Sequence, residues 1–350
     1  MKVTEFNRRI FDNTWTTLNQ ELAAIEASDG LPAVFSLLQA QQTNIGFIQD
    51  DLHQSQLHTF IHPRNESKFF TVQYNPKRAE RFNGAGRTTP PKDIESINNG
   101  CFLCRENVQW QQCGKELGYD IKTKNGAYSA LMNAYPLMPQ HAVLVSQTHI
   151  PQALPFLNDG EKLESILMDL VELAVRLPGH IGFYNGEGAG ASIPGHLHFQ
   201  FFEKPAGISD FPLEATAKAQ TGEPPFIIKS YPVYSAYWKN SPDKIVGQSL
   251  RTIKQWIKDT EDKPNLSANI FTSLDSDGDI NLYFVPRNQM LSHSQEMTGA
   301  IGGLEVLGEL VFSSKDEKHR LDQNEIDYHT VERILSAISV PGHINFKESS

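Results

Sequence analysis

The residues of this sequence best suited to chemistry are two histidines and a glutamine at alternate positions: His196, His198 and Gln200. The residues that alternate with them are apolar: Leu197, Phe199 and Phe201. This alternation predicts a β-strand over residues 195–202, because successive side chains of a strand point to opposite faces. The apolar side chains would pack into a core, and both imidazoles and the amide would share the other face. The strand would then present a rigid polar surface to a ligand.

The segment before this strand, residues 185–192, is small and glycine-rich, with the sequence Asn-Gly-Glu-Gly-Ala-Gly-Ala-Ser. A loop of this composition lets backbone N–H groups approach an anion closely, as in phosphate-binding nests. The two features together suggest a phosphate held beside a histidine on a strand.

A second group of reactive side chains begins with a Cys-x-x-Cys pair, Cys101 and Cys104, which indicates a metal site, a redox site or a coincidence. A redox pair is expected where a strand enters a helix, whereas residues 83–100 before this pair form a loop rich in Gly, Pro, Thr and Asn. A tetrahedral zinc site needs four ligands. His149 and one of the two strand histidines could complete it, and Cys113 is predicted to be a free cysteine.

The composition limits the classes of function. The chain has 350 residues, enough for one large domain or two of ordinary size. A formal net charge of −10 and a pI near 5.6 argue against a surface that coats nucleic acid. No apolar run approaches the ~20 residues that span a bilayer, and the first residues lack the apolar core of a secretion signal. With only three cysteines, a disulfide framework is not expected, and we predict a cytoplasmic protein.

Periodic apolar residues predict the elements that must position these groups. Helices are predicted over residues 1–45, with a break at Ser28-Asp29-Gly30, and over residues 163–174, 245–260 and 322–338. Strands are predicted within residues 56–75, at 141–146, 181–184 and 304–312, and as a hairpin over 268–285. Residues 207–225 are small and polar, which predicts a connector. The aspartates at 275–279 are predicted to form the hairpin turn, because an EF-hand would need its glycine two positions later and a distal glutamate.

Several stretches together resemble the histidine-triad superfamily, in the branch of galactose-1-phosphate uridylyltransferases, GDP-hexose phosphorylases and diadenosine tetraphosphate phosphorylases. Residues 75–109 resemble the uridylyltransferase signature, and residues 133–149 resemble the superfamily's usual strand and turn. Residues 185–200 match the branch's nucleotide-transfer motif. The later Ser-Tyr-Pro-Val and Leu-Tyr-Phe-Val-Pro-Arg stretches are closer to the GDP-hexose phosphorylases. The resemblance covers roughly residues 70–340 and leaves the first 60 residues uncovered.

The resemblance implies an α+β fold with a histidine-triad-like antiparallel sheet and packed helices, built as two tandem halves of which the second is degenerate. We predict an N-terminal helical segment over residues 1–60, a catalytic half with the zinc site over residues 61–206, and the degenerate half over residues 226–340. In the family this pairing of halves, or dimerisation, builds the site, so a homodimer is a further expectation.

The resemblance also implies a reaction. His198 would be a nucleophile that attacks the α-phosphorus of a nucleoside diphosphate sugar or a dinucleoside polyphosphate and forms a nucleotidyl-histidine. Gln200 would stabilise charge on a non-bridging phosphate oxygen. In the family a glutamine here accompanies transfer to inorganic phosphate or a sugar phosphate instead of water. The chain would therefore be a nucleotidyltransferase or phosphorylase of nucleotide sugar or dinucleotide metabolism, with neither nucleic acid nor membrane as a partner.

The remaining positions that match the family have binding or structural roles. The resemblance implies contacts with substrate by five residues: Arg78, Arg81, Asn133, Asn185 and Ser192. It implies a structural zinc ion held by four others: Cys101, Cys104, His149 and His196. One departure affects the loop, because Ser192 lies four residues before His196, whereas relatives usually have three. The cysteine pair is also generally absent from GDP-hexose phosphorylases, so the chain combines features of two subfamilies.

Two other classes of protein compete with an enzyme. One is a zinc-stabilised nucleotide-binding protein that keeps the fold and has lost the chemistry. The other is a redox protein that uses Cys101 and Cys104 and binds no metal. The nucleobase, the sugar and the acceptor are not determined by these patterns.

Overall fold

The computed structural model of the chain describes residues 5–48, 52–83, 97–111, 114–154, 161–205, 210–260 and 263–340. Its helices are α1 (Glu5–Asp29), α2 (Leu31–Asn44), α3 (Arg105–Gln111), α4 (Lys162–Arg176), α5 (Pro212–Lys218), α6 (Pro242–Asp259), α7 (Gly303–Leu307), α8 (Lys315–Asp322) and α9 (Tyr328–Ser336). Short 3-10 helices lie at Pro76–Asn83, Asn98–Gly100 and Lys263–Asn265. None of the described helices is both long enough and apolar enough to cross a bilayer.

The strands are β1 (Gln56–His62), β2 (Asn65–Tyr74), β3 (Gly118–Lys122), β4 (Ala127–Met132), β5 (Ala142–Ser146), β6 (His180–Asn185), β7 (His198–Glu203), β8 (Phe226–Ile228), β9 (Ser235–Asn240), β10 (Leu266–Leu274), β11 (Ile280–Asn288) and β12 (Glu309–Phe312). Nine of them form one antiparallel sheet in the order β3-β4-β5-β7-β6-β10-β11-β9-β8. A smaller sheet has the order β1-β2-β12, with β12 parallel to β2. The α+β prediction is confirmed.

The large sheet consists of two groups of strands that meet side by side. Five strands come from residues 118–203 and four come from residues 226–288. The groups join where β6 pairs with β10, with Phe183 opposite Phe271 and Asn185 opposite Asn269. The second group therefore extends the sheet of the first, as two tandem halves would.

Helices cover one face of this sheet. Most of the buried apolar side chains of α4 recur at three- and four-residue spacing, which places them on one side of the helix: Leu163, Ile166, Leu167, Leu170, Val171 and Ala174. They share a core with α2, with α6 and with two phenylalanines of β7, Phe199 and Phe201. Burying an aliphatic or aromatic side chain of this size stabilises the fold by about 1.5–3 kcal/mol, so this face holds β7 firmly.

The opposite face of the sheet packs against β1, β2, β12 and the short helices of the C-terminal region. Phe202 lies here, in contact with the rings of Phe183 and Phe211. At one end this face is apolar, and at the other end it carries the polar side chains of the candidate site. Both predicted N-terminal helices are confirmed, with the break at Gly30, whose positive φ of 83° ends the first of them.

Residues 207–225 are more than the predicted connector, because they contain α5. Its side chains Leu213 and Ala217 are fully buried, and Pro212 starts the helix. The predicted strand at 304–312 is also partly wrong. Residues up to Leu307 form α7, and Gly308, with φ of 103°, ends it before β12 begins.

The predicted helix over residues 322–338 begins too early, because only residues 328–336 of this range form a helix, α9. Asp322 ends α8, and α9 begins after Asp327, whose carboxylate accepts a hydrogen bond from the Thr330 backbone N–H at 2.7 Å. The other predicted helices and strands named above lie within one to a few residues of their predicted positions. The strand at 195–202 begins later than predicted, at His198.

Candidate functional site

Four side chains from three separate segments come together in front of β5 and β7. The Sγ atoms of Cys101 and Cys104 and the ring nitrogens of His149 and His196 all lie within 4.8 Å of one another. Nδ1 of His196 lies 3.4 Å from Cys101 Sγ and 3.7 Å from Cys104 Sγ, and Nδ1 of His149 lies 3.3 Å from Cys104 Sγ. Bond lengths of about 2.3 Å for Zn–S and about 2.0 Å for Zn–N place S and N roughly 3.5 Å apart in a tetrahedron. These four residues, which we call the metal-type group, therefore have the geometry to hold a metal ion.

The surroundings of the four side chains also suit a metal. Nε2 of His196 donates to the Ser146 carbonyl oxygen at 2.7 Å, so Nδ1 carries the lone pair and faces the thiols. The amide of Asn98 lies 3.2 Å from Cys104 Sγ. Burial raises the pKa of Cys104 to about 11, whereas thiols of redox pairs have a lowered pKa. The raised pKa argues against a redox pair, and the case for a metal rests on the distances between the four ligand atoms.

His198 starts β7 on the face opposite Phe199 and Phe201, as the alternation predicts. Its Nδ1 donates to the His196 carbonyl oxygen at 2.8 Å, so Nε2 carries the free lone pair. Among the residues that the structure describes, no group hydrogen-bonds to this Nε2. The side chain is 4% exposed, and burial lowers its pKa to about 4. The imidazole is therefore neutral at pH 7, with one nitrogen available to act as a nucleophile.

A buried glutamine clamps the backbone of His198. Oε1 of Gln152 accepts from the His198 N–H at 2.7 Å, and its Nε2 donates to the His198 carbonyl oxygen at 2.9 Å and to the Asn185 carbonyl oxygen at 2.8 Å. Gln152 is fully buried. The clamp joins the start of β7 to the end of β6, where regular pairing between the two strands has stopped.

His141 orients Gln200. The backbone N–H of Leu137 donates to His141 Nδ1 at 3.2 Å, so the proton of this ring lies on Nε2. That Nε2 donates to Gln200 Oε1 at 2.9 Å. The oxygen of the Gln200 amide is thereby occupied, and its NH₂ group remains to donate to another acceptor. Gln200 lies two residues after His198, on the same face of β7.

The glycine-rich loop connects β6 to the approach of β7 and packs against the second half of the chain. The Gly186 N–H donates to the Ala268 carbonyl oxygen at 2.9 Å, which extends the pairing of β6 with β10. A Cβ on Gly190 would lie 2.3 Å from the Gly302 Cα, and a Cβ on Gly188 would lie 2.5 Å from the Gln289 Cα. Both positions have positive φ, so glycine is required on two grounds.

The residues predicted to contact substrate are spread around this centre. Arg78 donates to the Tyr135 carbonyl oxygen. The side chain of Asn133 accepts from the Tyr135 N–H at 2.9 Å and shapes the turn before β5. Asn185 is buried at the end of β6, and Ser192 is exposed in the glycine-rich loop. The side chain of Arg81 is outside the described residues, as is Cys113. The contacts of these five predicted binding residues with substrate remain predictions.

A cavity of about 340 Å³ lies between α1, the Cys-x-x-Cys segment and strands β4 and β5. Its walls include apolar side chains, among them Trp15, Leu103 and Leu131, and its mouth includes Gln147. Val145 also lines it and pairs with His198 across β5 and β7, so the cavity lies on the same face of the sheet as the imidazole. It has room for a small ring system next to the metal-type group.

Comparisons with known proteins support the fold. Residues 37–203 match a family model described as a domain of unknown function, DUF4922. No curated protein matches the sequence. The crystal structure of yeast Ap4A phosphorylase Apa2 is similar, with a TM-score of 0.54 and 15% identity over 87% of this chain and 97% of that one. This chain has the same fold as yeast Ap4A phosphorylase Apa2. Ap4A is diadenosine tetraphosphate, so the resemblance seen in the sequence is confirmed at the level of the fold.

Two further structures of Apa2 give the same result. Its complex with AMP has a TM-score of 0.58 and 14% identity, covering 87% of this chain and 98% of that one. Its complex with Ap4A has a TM-score of 0.56 and 15% identity, covering 87% and 97%. At these identities the likeness concerns the fold. A GalT-like protein from Arabidopsis thaliana, with a TM-score of 0.36 and 16% identity over 81% of this chain and 100% of that one, is too dissimilar to support an argument.

Sequence reasoning missed the residues that support the site. Three of these are His141, Gln152 and, in the cavity wall, Trp15. Two more lie in the second half: Asn269, whose side chain donates to Asn185, and Arg287, whose side chain donates to Asn269. Only His141 left a signal, because it lies between the turn after Asn133 and a strongly apolar strand. The others act through long-range contacts, which no local spacing reveals.

Proposed function

We propose that this protein is a nucleotidyltransferase or phosphorylase that acts on a nucleoside diphosphate sugar or a dinucleoside polyphosphate through a nucleotidyl-histidine on His198. The observation that carries the proposal is the state of this imidazole. It is neutral, and its Nδ1–H is fixed by a backbone carbonyl. Its Nε2 lies on the polar face of β7, where no described residue hydrogen-bonds to it.

In the first step, Nε2 of His198 attacks the α-phosphorus. A nitrogen–phosphorus bond forms while the bond from this phosphorus to its bridging oxygen breaks, and the electron pair leaves on the sugar phosphate or nucleotide that departs. The hydrogen bond from Nδ1 to the His196 carbonyl stabilises the positive charge that develops on the ring. The NH₂ group of Gln200, aimed by His141, donates to a non-bridging oxygen of the phosphorus in the transition state.

In the second step, an oxygen of inorganic phosphate or of a sugar phosphate attacks the same phosphorus. The bond to Nε2 breaks, the imidazole returns to its neutral form, and the nucleotide leaves on the acceptor. The side chain at position 200 is a neutral amide, which cannot accept a proton from water as an imidazole could. This favours anionic acceptors, which need no deprotonation. Arg78 and Arg81 are candidates for contacts with these phosphates.

The group Cys101, Cys104, His149 and His196 would hold a structural zinc ion. With all four positions taken by protein, such an ion supplies rigidity and no open coordination site for chemistry. Because His196 lies two residues before the nucleophile and its carbonyl orients the imidazole, the ion would fix both the start of β7 and the tautomer of His198. The cavity beside this group is the candidate subsite for the nucleoside.

The ligands of the similar structures support the substrate class. Yeast Apa2 has been crystallised with AMP and with Ap4A. Both are phosphate esters of adenosine, and the second is a dinucleoside polyphosphate. They suggest which donors to examine first and do not select the base for this chain.

The proposal is tested with donors labelled at the α-phosphate: GDP-, UDP- and ADP-hexoses and diadenosine tetraphosphate. Wild-type protein should acquire acid-labile label from at least one donor, and His198→Ala should acquire none. His180→Ala is the matched control, because His180 is also a buried histidine on the large sheet, and the described partners of its ring are Pro178 and Gln140. If no donor labels wild-type protein while nucleotides still bind it, the chain is a nucleotide-binding protein and the proposal is wrong.

A further inference from the structure

We propose that Arg287 and Asn269, in the second half of the chain, are positioning residues that hold the glycine-rich loop and the strand end bearing His198 through a buried chain of hydrogen bonds. This inference rests on the proposed function for its catalytic meaning. Its structural content can be tested without any donor.

The series of hydrogen bonds begins at Arg287 on β11, which is 1% exposed. Its Nη1 donates to Asn269 Oδ1 at 2.7 Å, and its Nη2 donates to the Ile301 carbonyl oxygen at 3.1 Å. A short bond from a guanidinium to a neutral oxygen is charge-assisted and stronger than a bond between neutral groups. It therefore fixes which end of the Asn269 amide is the oxygen.

With its oxygen occupied, Asn269 presents its NH₂ group to the first half. Nδ2 donates to Asn185 Oδ1 at 2.7 Å and to the Ala189 carbonyl oxygen at 2.8 Å. Asn185 ends β6, and Ala189 lies in the middle of the glycine-rich loop. One amide of the second half thus joins the two ends of the loop's first turn.

The series of hydrogen bonds continues through Gln152 to the proposed nucleophile, His198. The Asn185 carbonyl oxygen accepts from Gln152 Nε2 at 2.8 Å, and the same glutamine bonds to both backbone groups of His198. Four buried residues therefore connect Arg287 to the backbone of His198: Arg287, Asn269, Asn185 and Gln152. At Asn185 the connection passes from the side-chain amide to the backbone carbonyl of the same residue.

Arg287 carries a positive charge in a buried position, which is unusual. Burial lowers the pKa of Arg287 to about 10, so it stays protonated at neutral pH. Among the described residues no carboxylate lies within 4.0 Å of it, although Glu305 is near enough to favour its charge. A buried cation of this kind is costly unless its hydrogen bonds are required. Packing alone could be achieved by an apolar side chain, so we assign Arg287 to orientation of Asn269.

The close contacts of glycine support the same role. Gly188 touches Gln289 and Gly190 touches Gly302, so two points of the loop lie directly against the segment after β11. A loop held by backbone contact and by the Asn269 amide is ordered before a ligand arrives. Such pre-organisation lowers the cost of placing phosphate beside Nε2 of His198.

The test combines amide hydrogen exchange with the rate of adduct formation, in four variants: Asn269→Ala, Asn269→Asp, Arg287→Lys and Thr272→Val. Asn269→Asp keeps an acceptor for Arg287 but loses both donations to the loop. Thr272→Val is the matched control, since Thr272 is fully buried on the same strand and its hydroxyl has no partner among the described residues.

We expect Asn269→Ala and Asn269→Asp to raise exchange in a peptide spanning residues 185–203 by about tenfold, because a buried donor is lost, and to leave residues 118–132 unchanged. Arg287→Lys should have a smaller effect in the same peptide. Adduct formation should slow by about tenfold or more while the Kd of the donor changes far less. Thr272→Val should match wild type in both measurements.

Unchanged exchange at residues 185–203 in Asn269→Asp, or equal increases throughout the protein, would overturn the proposal. A double-mutant cycle with Gln152→Ala gives a second criterion. Asn269 and Gln152 belong to one hydrogen-bonded series if the effects of their substitutions on exchange are less than additive in free energy. Fully additive effects contradict the proposal. If wild type forms no adduct, the proposed function is wrong, but the exchange results still decide whether Arg287 and Asn269 hold the loop.

Discussion

The two halves of the large sheet have the same design and different chemistry. In the first, α4 leads into β6, which pairs antiparallel with β7. In the second, α6 leads into β10, which pairs antiparallel with β11. The halves meet where Phe183 on β6 lies opposite Phe271 on β10. Phe183 and Phe271 can therefore be treated as equivalent positions, and the residues that pair with them on β7 and β11 can be compared.

The comparison shows what the second half lacks. Phe183 pairs with Gln200, and Phe271 pairs with Tyr283. Two residues earlier on the same strands lie His198 and Asn281. The second half thus carries asparagine and tyrosine where the first carries the imidazole and the directed amide.

Asn281 and Tyr283 are fully buried and poorly suited to reaction. Oδ1 of Asn281 accepts from the Tyr237 hydroxyl at 2.7 Å, while its Nδ2 and the Tyr283 hydroxyl have no partner among the described residues. An amide nitrogen has no free lone pair to attack phosphorus. Apolar faces and strand pairing are enough to keep the fold in both halves, whereas the proposed chemistry depends on one imidazole and its supports.

The largest effect is expected from making the first half resemble the second. His198→Asn should lower turnover by about a thousandfold or more, because the variant can form no covalent intermediate. Steady-state kinetics with the best donor measures this effect. In the opposite half, Asn281→Ala should keep turnover within about threefold of wild type, since this residue lies outside the proposed machinery. Equal losses in both variants would contradict the assignment of chemistry to one half.

Among the described residues of the second half, no group of Cys, His, Asp or Glu side chains matches the group of Cys101, Cys104, His149 and His196. Removal of this group is expected to have the next largest effect. Wild-type protein should contain one zinc ion per chain by elemental analysis. Cys104→Ser should lose it, unfold at a lower temperature and turn over more slowly, because the start of β7 is no longer fixed. Full metal content in Cys104→Ser would show that this thiol is not a ligand.

The cavity is lined by Trp15 of α1 and by residues of the first half between Ile97 and His196. Gln147 is exposed at its mouth, so Gln147→Phe should narrow the opening without disturbing the core. We expect a severalfold rise in the KM of the donor and little change in kcat, since the reacting groups are untouched. Gln255→Phe, at an exposed position on α6, serves as the control for an added surface ring. An unchanged KM would exclude the cavity as the nucleoside subsite.

The smallest effect concerns the junction between β12 and β2. Glu309 is 1% exposed, and burial raises its pKa to about 7. Since this pKa is higher in the folded than in the unfolded chain, the stabilising contribution of Glu309 is complete below about pH 4.5 and is lost as the pH rises through 7. Glu309→Gln should therefore gain stability relative to wild type as the pH increases over this range. Thermal unfolding of both proteins at several pH values measures the difference, and a gain that does not depend on pH would contradict the shifted pKa.

Short-range patterns and the family resemblance predicted which candidate side chains lie close together. The strand of His198 and Gln200, and the gathering of Cys101 and Cys104 with two histidines, follow from spacing and resemblance, and the structure has them close together. The roles of these side chains and the three predicted domain boundaries stay predictions.

The parts that could not be predicted depend on contacts distant in sequence. Asn269 lies 84 residues after Asn185, and its side chain hydrogen-bonds to that of Asn185 between the neighbouring strands β10 and β6. Arg287 could equally have been a solvated cation at the end of a strand. The helix α5 was missed because its polar residues mask the burial of Leu213 and Ala217, which only the packed structure reveals.

The central claim is tested most directly by locating the nucleotide on the protein. Wild-type chain is mixed with the best donor in the absence of acceptor, quenched at alkaline pH and mapped by tandem mass spectrometry. The account predicts one nucleoside monophosphate on the peptide that contains residues 185–203, bonded to His198 and released when phosphate is added before quenching. Turnover with no modified histidine, or with the nucleotide on any other residue, would contradict it.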